Sequence, residues 1–266
     1  MTIDIDARSV RAGLINDGYV VLRNAVPTAL CEAVLDAIGH ELDIWVNEPA
    51  TWDRVSDEIE QVPLWGHQSQ WDIRQLVDLH ALWSTIWGTD RLWVSRDSCR
   101  FTPPWDVRHV EPLAIHWDVD PHDAATQWFP GVVALTEAPA GAGGFCCAPS
   151  LMHNRSRWPT SWPTSRHGLD YRPTDVGERE VIEVPLGVGD LLVFDSHVPH
   201  GTVRNTASTP RVASSSRCFP KVLAPRPRQT SPITSPEPHP LGGGRSPATT
   251  ASSHGRRQPS TTMGSD

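Results

Sequence analysis

Leu113-Ala114-Ile115-His116-Trp117-Asp118-Val119 reads as a β-strand in which apolar residues surround a His-x-Asp pair. Successive strand side chains point to opposite faces, so His116 and Asp118 share one face and Trp117 takes the other. An imidazole and a carboxylate side by side make two ligands for one metal ion. Asp120 shares that face but sits roughly 7 Å beyond Asp118, which suits a supporting position.

The segments on either side carry the same period. Residues 91–95, 131–136, 145–148, 179–184, 190–194, 202–204 and 211–218 also read as strands. Pro103-Pro104, residues 139–144, Pro173 and residues 187–189 punctuate them as turns. Several short strands so divided predict a β-sandwich or barrel. Upstream the period is helical. Residues 10–16 form a short helix ending at Asn16-Asp17-Gly18, and 19–22 a strand. Pro27-Thr28 opens a second helix, with Leu30, Val34, Leu35, Ile38 and Leu42 at helical spacing. The third is predicted over 72–87, with Ile73, Leu76, Val77, His80, Trp83 and Trp87 as its buried stripe and Gly88 as its cap. Helices thus precede a β core, with no βαβ alternation. The fold class is mainly β with flanking helices, the helices reaching to about residue 90 and the core covering 91–219. Twelve tryptophans between Trp45 and Trp162 supply core or cavity lining.

A third metal ligand is expected from Asp195-Ser196-His197-Val198-Pro199-His200-Gly201, which follows a turn and a buried strand. Gly201 permits close backbone approach, so His200 is assigned as ligand and His197 as a pocket or support residue. Two histidines and one carboxylate on one side of an ion form the facial set of non-haem Fe(II) oxygenases, with positions left open. Arg211, eleven residues after His200 and across a turn, is placed to grip a carboxylate with two prongs.

Composition narrows the functional classes. The chain has 23 basic and 31 acidic residues. The segment 222–266 has no aromatic residue, is dominated by Pro, Ser, Thr, Gly and Arg, and is read as a disordered tail beyond a domain at 1–221. Without its five arginines and two acids, the folded part carries a surplus of 11 negative charges, which argues against a nucleic-acid partner. No membrane-length apolar run and no signal peptide is read, and five scattered cysteines include no CxxC pair, so a cytoplasmic location is expected. Adjacent Cys146 and Cys147 read as small core residues.

Ordered motifs then carry a resemblance. Asp17-Gly18-Tyr19-Val20-Val21-Leu22 with Ala25-Val26-Pro27, Trp87-Gly88-Thr89 with Leu92-Trp93-Val94, and His116-Trp117-Asp118-Val119-Asp120 come first. Gly143-Gly144-Phe145 with Ala148-Pro149, Gly189-Asp190-Leu191, and Pro199-His200-Gly201 through Asn205 to Pro210-Arg211 follow. Over roughly residues 12–212 the chain resembles the phytanoyl-CoA dioxygenase (PhyH) family of Fe(II)/2-oxoglutarate oxygenases. The resemblance implies a double-stranded β-helix (jelly-roll, cupin-like) core. It also implies Fe(II) held by His116, Asp118 and His200, and 2-oxoglutarate held through its distal carboxylate by Arg211. O2 is the second cosubstrate, and hydroxylation of a small organic molecule with release of succinate and CO2 is the activity. Related halogenases replace the carboxylate ligand by a small residue; Asp118 favours hydroxylation.

Other residues have weaker expected roles. Gln127 and Trp128 are placed at the cosubstrate pocket. Arg96, Arg100 and His153 are candidates for an anionic substrate, and residues 158–163 for a lid. Ser214-Ser215-Ser216 departs from the apolar alternation expected of a final strand. That departure supports a second reading, a metal-binding jelly roll with little or no turnover.

Overall fold

Helices α1 (Ala7–Asn16), α2 (Thr28–Leu42), α3 (Gln68–Arg74), α4 (Val77–Trp87) and α5 (Pro149–His153) accompany a β core in the computed structural model. It describes residues 6–55, 61–119, 127–154, 164–165, 168–170 and 180–221, all within one compact unit, Met1–Ala224. The Pro/Ser/Thr/Gly-rich segment 222–266, the expected lid at 158–163 and Asp120 lie outside the described residues. Among the described residues no helix is long and apolar enough to cross a membrane.

The strands are β1 (Tyr19–Leu22), β2 (Gln61–Val62), β3 (Leu92–Val94), β4 (Cys99–Thr102), β5 (His116–Trp117), β6 (Gly131–Ala134) and β7 (Phe145–Cys147). After them come β8 (Thr164–Ser165), β9 (Gly168–Asp170), β10 (Ile182–Glu183), β11 (Leu191–Phe194), β12 (His200–Thr202), β13 (Arg211–Ser216) and β14 (Cys218–Pro220). One sheet has the order β1-β11-β6-β13-β4-β2 and the other β10-β7-β12-β5-β9-β8, with β14-β3 as a separate ribbon. From β4 to β7, and again from β11 to β13, each strand lies in the opposite sheet from the one before. That alternation makes the double-stranded β-helix expected for the core.

Both faces of the first sheet are covered. On β11, Leu191 and Val193 join the cluster shared with α2 and α4, while Leu192 and Phe194 face the sandwich interior with Phe145 and Ala134. All four β11 residues are buried, which is why this strand reads as a continuous apolar run rather than an alternating one. In α2 the expected spacing holds: Val34 and Ile38 are fully buried, with Leu30, Leu35 and Leu42 packed at the margin.

Three expectations are corrected. The predicted helix over 72–87 is two helices, broken between Arg74 and Val77. Arg74 is buried and donates to the carbonyls of Trp65 (3.0 Å) and Asp97 (2.6 Å). The break then lets Leu79, Leu82 and Trp83 face the sheet, leaving Val77 80% exposed and His80 at the surface. Tertiary packing has overridden a continuous helical pattern. Strand lengths also differ. The run 113–119 pairs only over His116–Trp117, while 202–204 is replaced by a strand that begins at His200. Short β2, β4, β8 and β9 escaped the sequence reading because none shows sustained alternation.

The third correction concerns the serine run. β13 is a complete strand, paired with β4 on one side and β6 on the other. Its outward face is satisfied by hydrogen bonds rather than grease. Ser214 is 2% exposed and donates to Gln70 Oε1 (2.7 Å), and the Gln70 amide meets Cys99 Sγ (2.5 Å). The β6 backbone approaches closely there: a Cβ on Gly131 would lie 2.3 Å from the Ser216 carbonyl oxygen, so only glycine fits at 131. All five cysteines, Cys146 and Cys147 included, are free and buried, as expected of small core residues.

Candidate metal centre and cosubstrate cavity

β5 and β12 are antiparallel neighbours in which His116 and His200 lie directly opposite each other. Side chains of such a pair project from the same face of the sheet, and the two imidazole centroids are 4.5 Å apart. Asp118, two residues on, adds its carboxylate: Oδ1 lies 3.6 Å from His116 Nε2 and Oδ2 lies 3.7 Å from His200 Nε2. One ligand atom from each of the three residues lies within 4.8 Å of the others. Atoms that each sit about 2.1 Å from one ion are roughly 3–4 Å apart, so the set fits a single metal.

The hydrogen bonds fix which nitrogen is offered. His116 Nδ1 donates to the Ala114 carbonyl (2.8 Å) and His200 Nδ1 to the Val198 carbonyl (3.0 Å). Each Nε2 therefore keeps its lone pair toward Asp118, the arrangement in which an outer partner sets tautomer and ring orientation. Phe194 and Phe145 pack on His200, with centroids at 4.4 and 5.7 Å.

Charge states follow from burial. Desolvation drives the His200 imidazole down to about 4, against the pull of Asp118 and with a push from His116. Burial opposes the Asp118 carboxylate. Favourable interactions with His116, His200 and the Arg217 guanidinium outweigh it and hold the group below the usual carboxylate value. At neutral pH His200 therefore presents a neutral imidazole and Asp118 a carboxylate, the protonation a metal requires of them.

A cavity of about 250 Å³ opens on this triad. Its opposite wall is the inward face of β13, where Arg211, Ala213 and Ser215 recur at a period of two and Arg217 follows just past the strand end. Arg211 is 6% exposed and begins β13 opposite Thr102. The loop before it is tied down by Asn205, whose amide donates to the carbonyls of Thr102 and Thr209, both at 3.0 Å.

The sequence profile described as Phytanoyl-CoA dioxygenase (PhyH) matches residues 15–213. The chain belongs to this family. Among solved structures, EvdO2 from Micromonospora carbonacea var. aurantiaca superposes with a TM-score of 0.62 at 19% identity, over 86% of this chain and 97% of that one. The epimerase SnoN, solved with Fe3+, alpha ketoglutarate and nogalamycin RO, gives a TM-score of 0.59 at 18% identity, over 80% and 83% of the two chains. HygX from Streptomyces hygroscopicus, solved with nickel, 2-oxoglutarate and hygromycin B, gives 0.56 at 13% identity, over 80% and 87%. These likenesses establish the jelly-roll fold. No protein of curated function matches the chain by sequence.

In this PhyH-family chain the expected site residues do not all converge. His116, Asp118, His200 and Arg211 line the one cavity. His197 does not; its Nδ1 meets Asp195 Oδ1 (3.1 Å), and its carbonyl accepts from the buried Trp117 indole (2.8 Å), a supporting position. Trp117 points away from the triad as expected. Gln127 is a correction: it is exposed and its amide donates to Asp195 Oδ2 (2.5 Å), while Trp128 takes the cavity wall. Of the three candidates for an anionic substrate, Arg100 lines the cavity and Arg96 is at the surface. His153 is also exposed and meets the Asn16 carbonyl (2.9 Å). Arg217 was missed, although the period of two from Arg211 through Ala213 and Ser215 leads to it.

Two predictions arise at this centre. A Cβ at Gly201 would lie 2.4 Å from the Leu113 carbonyl oxygen, on backbone that cannot move without shifting the His116 segment. Gly201→Ala is therefore expected to displace His200 from His116 and weaken metal binding by about 10–100-fold, the range for disturbed supporting contacts. Equilibrium dialysis against Fe(II) or Mn(II) reads this, and unchanged affinity contradicts it. The second prediction is that the metal-free protein loses stability as the pH falls from about 6.5 toward 4. Across that window the unfolded chain binds a proton that folded His200 refuses. The contribution is full above the window and is on the order of 3 kcal/mol. Equal urea midpoints at pH 7 and pH 4.5 would refute it.

Proposed function

We propose that this protein is an Fe(II)/2-oxoglutarate-dependent dioxygenase that hydroxylates a small organic molecule, working in the reducing cytoplasm. The observation that carries the reading is the triad itself: His116, Asp118 and His200 within 4.8 Å, each histidine with its Nδ1 tied back to backbone. In this reading His116, Asp118 and His200 hold Fe(II), and Arg211 receives the distal carboxylate of 2-oxoglutarate. When bound, the ion and the keto acid together activate O2 to oxidise a substrate C–H bond, with succinate and CO2 as coproducts.

The remaining contributions belong to the chain. His200 is neutral at working pH and offers its lone pair without first losing a proton. Asp118 supplies the charge that two imidazoles lack, and it occupies the position a halide would need. Arg211, held in a wall paired on both sides, orients a flexible diacid so that its keto end faces the triad. Phe145, Phe194 and Trp128 give that space apolar walls. The alternative, a metal-binding jelly roll with little or no turnover, drew on an irregular final strand, and the complete β13 supports the enzyme reading instead.

The test is an anaerobic titration of the protein with Fe(II) and 2-oxoglutarate. A visible metal-to-ligand charge-transfer band that requires both, followed by succinate release on admitting air, is expected. A folded, iron-loaded protein that shows no band would refute the reading.

A further inference from the structure

Beyond the triad and Arg211, the cavity wall is rich in donors. Three arginines (Arg100, Arg211 and Arg217) and two aspartates (Asp97 and Asp118) line it, inside a chain whose formal charge is −8. Under the reading above, a divalent ion adds two positive charges and 2-oxoglutarate removes two. Whichever guanidinium takes which cosubstrate carboxylate, the loaded cavity keeps one positive charge. A buried charge is costly unless it is matched.

Arg217 marks where the match belongs. It lies six positions beyond Arg211, about 20 Å along an extended strand, so a diacid whose distal carboxylate is held at Arg211 does not place that carboxylate at Arg217. Nε of Arg217 donates to Asp97 Oδ2 (2.7 Å) and Nη2 pairs with Asp97 Oδ1. Asp97 thus fixes the fork and leaves Nη1 without a hydrogen bond among the described residues, on a side chain that lines the cavity. The guanidinium lies over Trp128 at 4.8 Å, and Phe219 stacks on the same indole at 5.8 Å. Trp128 is therefore packed rigidly, and its buried indole N–H has no hydrogen-bond partner among the described residues. An indole N–H donates only. A rigid guanidinium in a cavity with surplus positive charge, beside a buried indole N–H that lacks an acceptor, calls for an oxygen acceptor carrying negative charge.

We propose that the Arg217–Trp128 end of the cavity is a substrate subsite for a single oxyanion, a carboxylate or phosphate group borne by the molecule that is oxidised. The proposal rests on the cosubstrate reading in treating Arg211 as occupied. It makes Arg217 a specificity-determining residue, and the substrate an acid of small size near its reacting carbon.

The test uses calorimetric titration of the full chain loaded with Mn(II) and saturating 2-oxoglutarate. The probes are benzoate, its uncharged counterpart benzamide, and inorganic phosphate. The wild type is expected to bind benzoate or phosphate at least tenfold more tightly than benzamide. Arg217→Gln is expected to bring that ratio to within about twofold while 2-oxoglutarate affinity holds. Trp128→Phe, which keeps the stack and removes the N–H, should lower the ratio severalfold, and Arg217→Lys should restore part of it. These last two decide the matter should Arg217→Gln fail to fold. A preference for benzoate over phosphate assigns the carboxylate, and the reverse assigns the phosphate. Equal binding of acid and amide by the wild type overturns the proposal. So does discrimination that survives in folded Arg217→Gln, or benzoate that competes with 2-oxoglutarate. If the wild type binds no 2-oxoglutarate, the cosubstrate reading fails by itself, and the same titrations with Mn(II) alone still decide whether Arg217 selects an anion.

Discussion

His116→Ala is expected to leave a folded protein that retains almost no iron and forms succinate more than about a hundredfold more slowly. Removing an outer partner of a metal ligand already costs 10–100-fold, and this change removes a ligand. Four features make the outcome specific. The imidazole sits directly opposite His200, its Nε2 is 3.6 Å from Asp118, its Nδ1 is occupied by the Ala114 carbonyl, and it contributes little to the apolar core. The thermal midpoint of the metal-free variant should therefore stay near that of the metal-free wild type. Asp118→Ala is expected to behave alike. Metal content by emission spectroscopy, read beside succinate release, separates loss of iron from loss of fold. Wild-type iron content and turnover in either variant would end the metal assignment.

Arg211→Gln is expected to act on the cosubstrate and spare the metal. Truncating one partner of a buried, hydrogen-bonded charge pair costs about 2–5 kcal/mol, which corresponds to roughly 30-fold to several-thousand-fold in affinity. The KM for 2-oxoglutarate should rise by that factor, with iron binding unchanged and kcat at saturation reduced much less. The pairing of residue 211 with Thr102 is made by the backbone, so it should persist in the variant. Unchanged KM would move the role to Arg100 or Arg217, the other guanidinia of the same wall.

What the sequence made legible follows from what each residue needs from its neighbours. The His-x-Asp pair was readable because strand alternation alone places both side chains on one face, and His200 because Gly201 signalled a close backbone approach, now seen at Leu113. The α2 stripe and the β11 run were readable because their burial is local and uninterrupted. Less legible was anything decided across the fold. Nothing near Arg74 announces that its guanidinium will reach back to the Trp65 and Asp97 carbonyls and break a helix. Ser214 looked wrong for a strand until Gln70, 144 residues away, was seen to accept from it. Gln127 and Trp128 are adjacent, and only the packed structure shows which of them faces the cavity. Arg217 lay on a visible period of two, hidden by a serine run judged on hydropathy alone.

The short β5 has one further consequence. Two residues long, it is paired with β12 through the His116–His200 register alone, so the strand that carries one of the three ligands, with Asp118 just past its end, has little pairing of its own on that side. An ion gripping both imidazoles would then act as a cross-link between neighbouring strands, in the way a disulfide joins distant segments. At a free concentration a thousand times its dissociation constant, such a ligand adds about 4 kcal/mol to the folded state. Local opening of β5 should become rare, and amide exchange at Trp117 and Gly201 should slow on loading. Iron supply would thereby govern how long the chain survives proteolysis as well as how fast it turns over.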